Sequence, residues 1–398
     1  MIVGNRWFIL CLAIVAQIAS ISALFGVPFV IPALREAYGL TIAQAGTLAG
    51  LPSLGLLLTL PGWGVVIDRY GERFTMTASL LLTASALSLL AAVDGPVAAG
   101  AVLTLVGAAG GPVNAAGGRL VLGWFSARER GLAMGLRQAA QPLGMGLSAA
   151  LMPIIAERHG FVAAMLLPAA LAVAMAPLVA VFAVRPGPDP RGGDAMMAAE
   201  TASPYRHAAI WRVHGVSMLL GVPQFTVMTY ALVYLVEEHG WSAPLAGAVI
   251  AGTQVPGALA RLGTGAWSDR VGSRLRPVRI IAAVSGAALL LLAGASVAVP
   301  AAAVALLLAC LVLSMSHNGL TFTAVAETAG LAWAGRAMAA QNSLQAVSST
   351  LTPVLMGVVI AWQGFTSAFA AAALFCALAV AVVPVGRRSP GATSARSG

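Results

Sequence analysis

The chain has 398 residues, 59% hydrophobic and 9% charged, against about 25% charged in a typical water-soluble domain. So few charges cannot cover a soluble surface, and most of the chain must be solvated by lipid and by other helices. The net charge of +9 comes with no lysine at all, and its arginines gather in short loops, a pattern of membrane orientation rather than nucleic-acid binding.

Crossing the hydrocarbon takes roughly 20 apolar residues, since it is about 30 Å thick and a helix rises about 1.5 Å per residue. The first half predicts spans over 8–33, 41–66, 74–94, 97–124, 131–156 and 161–184. The second predicts them over 209–236, 243–267, 278–298, 300–326, 337–361 and 366–385. The expected fold is an all-α membrane protein, twelve transmembrane helices in two pseudo-symmetric six-helix bundles. Continuous apolar runs exclude a barrel of short alternating strands. The first run follows Asn5-Arg6 with no small-residue cleavage site and reads as a span rather than a removed signal.

The Pro- and Gly-rich stretch from Arg185 to His207 divides the chain. Expected are a bundle over 1–184, a cytoplasmic linker over 185–208, a bundle over 209–386 and a cytoplasmic tail over 387–398. With the N-terminus inside, only Arg35 and Arg158 fall in outer loops, while Arg69, Arg73, Arg128, Arg130, Arg270, Arg274, Arg276, Arg279 and Arg336 fall in inner ones. The positive charge therefore places both termini in the cytoplasm of a multi-pass bacterial inner-membrane protein. Cys11, Cys310 and Cys376 lie in apolar runs and offer neither a disulfide framework nor metal-ligand spacing. No metal or cofactor is expected, and a monomer is.

An internal repeat carries the strongest signal. The segment from Ala43 lies over that from Pro244 without a gap, at an offset of 201 (244 − 43). Gly64 falls on Gly265, Asp68-Arg69 on Asp269-Arg270, Gly71 on Gly272 and Arg73 on Arg274. A weaker match at an offset near 204 sets Asn114 on Asn318 and Gln141 on Gln345. Two like six-helix halves suit a carrier that rocks about a site between them; an enzyme or a receptor has no evident use for them.

The pattern G-x-x-x-D-R-x-G-x-R occurs twice, Gly64 to Arg73 and Gly265 to Arg274, and resembles the loop signature of the major facilitator superfamily. WFSARERGLAMG from Trp124 is similar to that family's junction between the fourth and fifth spans. The resemblance covers the whole chain and implies that superfamily's fold and transport by rocking halves. It further implies that Gly64, Asp68, Arg69, Gly71, Arg73, Gly265, Asp269, Arg270, Gly272 and Arg274 form an inner gate that stabilises the outward-open state. Glu129 and Glu327, at the inner ends of the fourth and tenth spans, are expected partners. Gly71 and Gly272 suit tight turns or positive φ. Ordinary loop packing and orientation charge are the plainer alternative.

Charge inside an apolar run is costly and usually faces a cavity. Arg261 lies eight residues before Asp269, about 12 Å into the membrane, where the repeat puts Leu60. Its planar donor fork matches a carboxylate. The spacing Arg261–Gly265–Asp269 is similar to that of the anion-binding arginine in monocarboxylate, oxalate and nitrate porters of the superfamily. Arg137 lies about 10 Å deep, with Gln341 at its repeat position and Gln141 one turn further in. The alternatives are snorkelling for Arg261 and a structural pairing with Glu129 for Arg137. Arg119 reads as structural.

Asn114 and Asn318, a symmetric pair, are expected to line the cavity, with Gln17, Gln224, Tyr230, Gln254, Gln341 and Gln345 as further candidates. His317 sits well inside an apolar run and can titrate near neutral pH, which makes it the candidate coupling residue, with a satisfied buried histidine as the alternative. No acid lies at the centre of any span, so coupling is left to His317, to protons carried with the solute, or to solute exchange. Catalytic and nucleotide-binding fingerprints are absent. The expected function is secondary active transport of a small organic anion, a carboxylate, with drug or neutral-metabolite efflux as the alternative and a non-transporting membrane sensor as a remote one.

Overall fold

A computed structural model describes residues 5–126, 129–184, 203–330 and 333–384. Most of the expected linker, 185–202, and the tail from 385 lie outside the described residues.

The chain begins with α1 (Arg6–Phe25), capped by the Asn5 side chain, which accepts from the Trp7 amide. The expected first span breaks here: a 3-10 turn (Val27–Val30) and α2 (Ile31–Tyr38) follow, because Pro28 and Pro32 bring no N–H to continue the helix. A capping box of Thr41 and Gln44 starts α3 (Ile42–Leu89). Next come α4 (Pro96–Gly110), α5 (Pro112–Trp124), α6 (Arg130–Gln138) and α7 (Ala140–Phe182). The second half holds α8 (Ala208–Glu237), α9 (Ala243–Val271), α10 (Leu275–Ala298), α11 (Pro300–Met315), α12 (Asn318–Ala329) and α13 (Ala334–Val382).

Nine helical runs among the described residues are long and apolar enough to cross a membrane. Three of them, 51, 51 and 48 residues long, are about twice the length a bilayer needs. Each is interrupted by one non-helical glycine, Gly71 (φ 80°), Gly160 (φ 82°) or Gly364 (φ 78°), in a backbone region that a side chain disfavours. Dividing the three there turns nine runs into twelve spans. The reversal is so tight that no coil separates the paired helices.

Two expected spans are broken midway. At Gly111-Pro112 the missing proline N–H frees carbonyls of α4, and Thr59 Oγ1 (3.1 Å) and Trp63 Nε1 (2.7 Å) of α3 donate to Ala108 O. At Ser316-His317, between α11 and α12, Arg261 Nε donates to Met315 O (3.1 Å) and Thr264 Oγ1 to Ser316 O (3.0 Å). The repeat sets Trp63 on Thr264, so both halves satisfy a broken helix from the same place.

The halves meet at the ends of the helices far from the N-terminus. A Cβ at Gly46 of α3 would strike Tyr230 Oη and Pro353 O, and one at Gly247 of α9 would strike Ala149 O. Eighteen residues make five helical turns and return to the same face. Gly64 (64 − 46 = 18) and Gly265 (265 − 247 = 18) share those faces about 27 Å further along, yet a Cβ on either would meet nothing within 4 Å. The two halves are therefore packed at the far face and parted at the N-terminal face.

Candidate functional site

Arg137, in the last turn of α6, is buried beneath α1 and α5. Its Nη1 donates to Gln17 Oε1 (2.6 Å), Asn114 Oδ1 (2.9 Å) and Asn114 O (3.1 Å), while its Nε is buried with no partner. A Cβ on Gly118 would come within 3.3 Å of Arg137 Nη2, so the missing side chain there makes room for the guanidinium. The expected alternative, a pairing with Glu129, is not what forms. Glu129 accepts from Arg6 (2.6 Å) and Ser126 (2.9 Å), so among the described residues its partners lie outside the Gly64–Arg73 loop.

Arg261 projects from α9 and joins the halves. Besides its Nε bond to Met315 O, its Nη1 donates to Gln141 Oε1 of α7 (3.3 Å), and Nη2 is buried without a partner. Neither arginine has a carboxylate partner among the described residues. Two more buried groups are unsatisfied, Gln254 Oε1 two turns earlier on α9 and His317 Nε2 in the α11–α12 break. Gln254 packs against Gly146 of α7.

The second half has a carboxamide cluster. Asn318 Nδ2 donates to Gln224 Oε1 (3.1 Å), and Gln345 Nε2 donates to Asn318 Oδ1 (3.2 Å) and Ser217 Oγ (3.4 Å). Gln341, the repeat position of Arg137, accepts at Oε1 from His214 Nδ1 (2.6 Å). Across the halves the structure joins Arg261 with Gln141 and sets Gln254 against α7, while Gln17, Asn114 and Arg137 cluster within the first half and Gln224, Asn318 and Gln345, with Gln341 apart on His214, within the second. Tyr230 is placed elsewhere: it is fully buried, donates to Pro353 O and packs in the far-face seal beside Gly46 and Gly357.

Sequence reasoning missed His214 and Ser217. His214, Ser217 and Gln224 recur at three and ten residues, one polar stripe on an otherwise apolar helix, and that stripe was the available signal.

At the N-terminal face the loop carboxylates are paired within each half. Asp68 accepts from Arg119, which also bridges Glu72 (3.1 Å), so the structural role expected of Arg119 is to tie α5 to the loop. Asp269 accepts from Arg274, whose Nε reaches Glu327 (3.0 Å). Hydrogen bonding to Asp269, then to Glu327, raises the Arg274 pKa above its ordinary value. Gly71 and Gly272 (φ 63°) take the positive φ that their turns require. Arg69 lies over the Tyr70 ring (5.5 Å), while Arg73 and Arg270 are exposed. A cavity of about 420 Å³ opens beside Arg274, Arg276 and Glu327, at the loops and away from the buried arginines.

The family model for the Major Facilitator Superfamily matches residues 10–353. The chain belongs to that superfamily. It is 42% identical over 392 residues to an uncharacterized MFS-type transporter of Mycobacterium tuberculosis, covering 98% of this chain and 87% of that protein. Two more distant relatives match about a third of each chain: the oxalate:formate antiporter of Oxalobacter formigenes (26% over 144 residues; 36% and 34%) and a probable L-galactonate transporter of Escherichia coli (29% over 137; 32% and 29%). The fold is similar to that of a bacterial homologue of the human lysosomal transporter Spinster, with a TM-score of 0.81 at 12% identity over 96% of both chains. The protein is a multi-pass membrane transporter of this superfamily and not an enzyme.

Proposed function

We propose that this transporter carries a small organic anion, a carboxylate, across the bacterial inner membrane by alternating access, binding it between the halves with Arg261 and Arg137. The observation that carries the reading is that each guanidinium keeps a buried N–H with no partner, and neither meets an acid among the described residues. A buried charge without a counter-ion costs several kcal/mol, and an anionic solute would offset that cost only while bound. Two of the more distant relatives bear the names of carboxylate carriers, in line with the same reading.

The remaining assignments belong to this proposal. The bundles are 1–184 and 209–386, joined by the linker 185–208; the protein acts as a monomer; and the N-terminal face is cytoplasmic, as the loop arginines favour. The parted N-terminal face is then the inward-open state, and the Asp68–Arg119 and Asp269–Arg274–Glu327 clusters are halves of an inner gate at rest. Asn114, Asn318, Gln17, Gln141, Gln224, Gln254, Gln341 and Gln345 supply hydrogen bonds to the rest of the solute.

Binding of formate, oxalate, a sugar acid, a neutral sugar and a cationic dye to purified protein tests the solute class. The anions should bind best. Arg261→Ala should weaken them roughly a hundredfold, since truncating one side of a buried charge pair costs about 2–5 kcal/mol. Arg261→Lys should recover little, because an ammonium lacks the planar fork. Preference for the sugar or the dye, or full anion affinity in Arg261→Ala, would refute the anion assignment.

A further inference from the structure

We infer that His214 is a proton-binding site that links the conformational cycle of this transporter to pH. The inference rests on the protein being a carrier and not on the charge of its solute.

His214 lies two turns into α8 and is 1% exposed. Its Nδ1 is 2.6 Å from Gln341 Oε1. An amide oxygen carries no hydrogen, so the proton of the neutral ring sits on Nδ1. Nε2 then has a lone pair to offer, and Tyr205 Oη lies 3.4 Å from it. A hydroxyl can donate to a neutral imidazole and, after turning its hydrogen, accept from a charged one. Protonation at Nε2 therefore needs one hydroxyl rotation and leaves the Gln341 bond in place.

The surroundings suit a cation without supplying a carboxylate. The Tyr205 ring lies nearly parallel to the imidazole, with centroids 5.9 Å apart at 9°, so the imidazole is bordered by an aromatic side chain. Trp211 meets the imidazole edge-on at 6.3 Å, and Trp333 meets Tyr205 at 6.3 Å. The charged groups of the elements packed here are otherwise engaged or turned to solvent. On α13, Arg336 covers the Trp333 ring; on α8 itself, Arg212 donates to Val382 O. On α12, Glu327 is held by Arg274; Arg206, beside Tyr205, is exposed; and on α9, Arg261 is bound to Met315 O and Gln141.

A second, independent observation ties His214 to the internal repeat. Gln341 is fully buried, and its Nε2 has no partner. The repeat places it where the first half holds Arg137. With His214 charged, Gln341 becomes the outer link of a polarised chain, and its free N–H becomes a stronger donor. One proton added at Nε2 thus gives the second half the positive character that the first half has permanently. His317 lacks this arrangement, since its Nε2 has no partner at all.

The test needs no identified solute. Spin labels at the repeat-related loop positions Tyr70→Cys and Val271→Cys, in a background with the native cysteines replaced, report how far the N-terminal face is parted. Distances are measured in nanodiscs from pH 8 to pH 5.5. The distance populations of the wild-type background should shift along one titration curve. His214→Asn, whose amide can still donate to Gln341, should stay at the high-pH population throughout. Tyr205→Phe, which leaves the imidazole intact, should keep the transition and move its midpoint. No pH shift in the wild-type background, an unchanged shift in His214→Asn, or an equal displacement of His214→Asn at every pH would each overturn the assignment.

Discussion

In the first half a guanidinium sits at the centre of the polar cluster, and in the second a carboxamide does. Arg137 gathers Gln17 and Asn114, whereas Asn318 gathers Gln224 and Gln345. The gate loops are exchanged in the same way. Two loop acids, Asp68 and Glu72, meet an arginine of α5, while a loop arginine, Arg274, meets an acid of α12 as well as Asp269. The backbone repeat preserves where helices break and turn, and the charges are free to differ because each half needs only internal balance. That balance is missing among the described residues at Arg137 and Arg261, the two arginines proposed to meet an anionic solute.

The largest effect should come from making the halves alike. Arg137→Gln installs the residue found at the repeat position and removes hydrogen bonds from a charged donor, each worth about 1.5–3 kcal/mol. Thermal stability should fall by about 2–4 kcal/mol equivalent, with most transport lost. Gln341→Leu removes one bond between neutral groups and should cost no more than about 1–3 kcal/mol. Equal losses in the two variants would mean that the guanidinium is ordinary packing. The reverse graft, Gln341→Arg, should fold poorly, because Phe322 stands at the repeat position of the space-giving Gly118.

Next in size is the contrast along a single helix face. Gly46→Val would push a side chain into Tyr230 and the Pro353 carbonyl, and overpacking of this kind costs about 1–3 kcal/mol. It should drive the far face open, read as increased labelling of a cysteine placed there. Gly64→Val meets empty space in the present state and should leave that labelling unchanged while slowing transport, since it obstructs closure of the N-terminal face. If Gly64→Val also opens the far face, the wedge between the halves has been misread.

Much of this was legible in the sequence, and the omissions have physical causes. Long apolar runs fix spans regardless of tertiary context, and the offset of 201 exposed both the repeat and the lone arginine facing Leu60. The partner of Arg119 is not legible locally, because its bond to Asp68 joins residues 51 apart. His214 carries no local mark, because its partners are Gln341, 127 residues away, and Tyr205, outside the helix. Polarity alone does not separate a cavity-lining Tyr230 from a seal, since a phenol is satisfied by one carbonyl, here that of Pro353. Which face stands open is a balance of tertiary contacts, and a repeat that favours both states equally carries no record of it.

The gate loops give a smaller effect. Asp68→Asn leaves Arg119 with Glu72, and Asp269→Asn leaves Arg274 with Glu327, so each half keeps a partner. Both pairs are substantially exposed, so stability should change by less than about 1 kcal/mol, with insertion intact. Transport should fall roughly fivefold in each, the amount by which about 1 kcal/mol shifts a two-state equilibrium. Wild-type transport rates in both variants would reduce these carboxylates to loop packing.

The smallest effect should come from the far face, where Arg35 beside α2's end bridges Glu237 at the end of α8. This ion pair joins the two halves across the closed side, and both side chains remain about a third exposed, at 30% and 37%. Solvent therefore screens most of the attraction, and such pairs are typically worth about 0.2–1 kcal/mol. Arg35 also donates from Nε to Leu40 O (3.1 Å), so Arg35→Ala mixes a turn effect with the loss of the bridge, and a single variant cannot isolate it. A double-mutant cycle with Glu237→Ala removes the turn contribution. The coupling read from far-face cysteine labelling should be no more than about 1 kcal/mol, and it should shrink between 0.05 and 0.5 M salt as the Debye length falls below about 10 Å. A coupling that is larger and insensitive to salt would mean that the pair is desolvated in the closed state. The far face would then be locked by charge, as the N-terminal face is proposed to be, and the contrast between a glycine-packed seal and a charged gate would no longer hold.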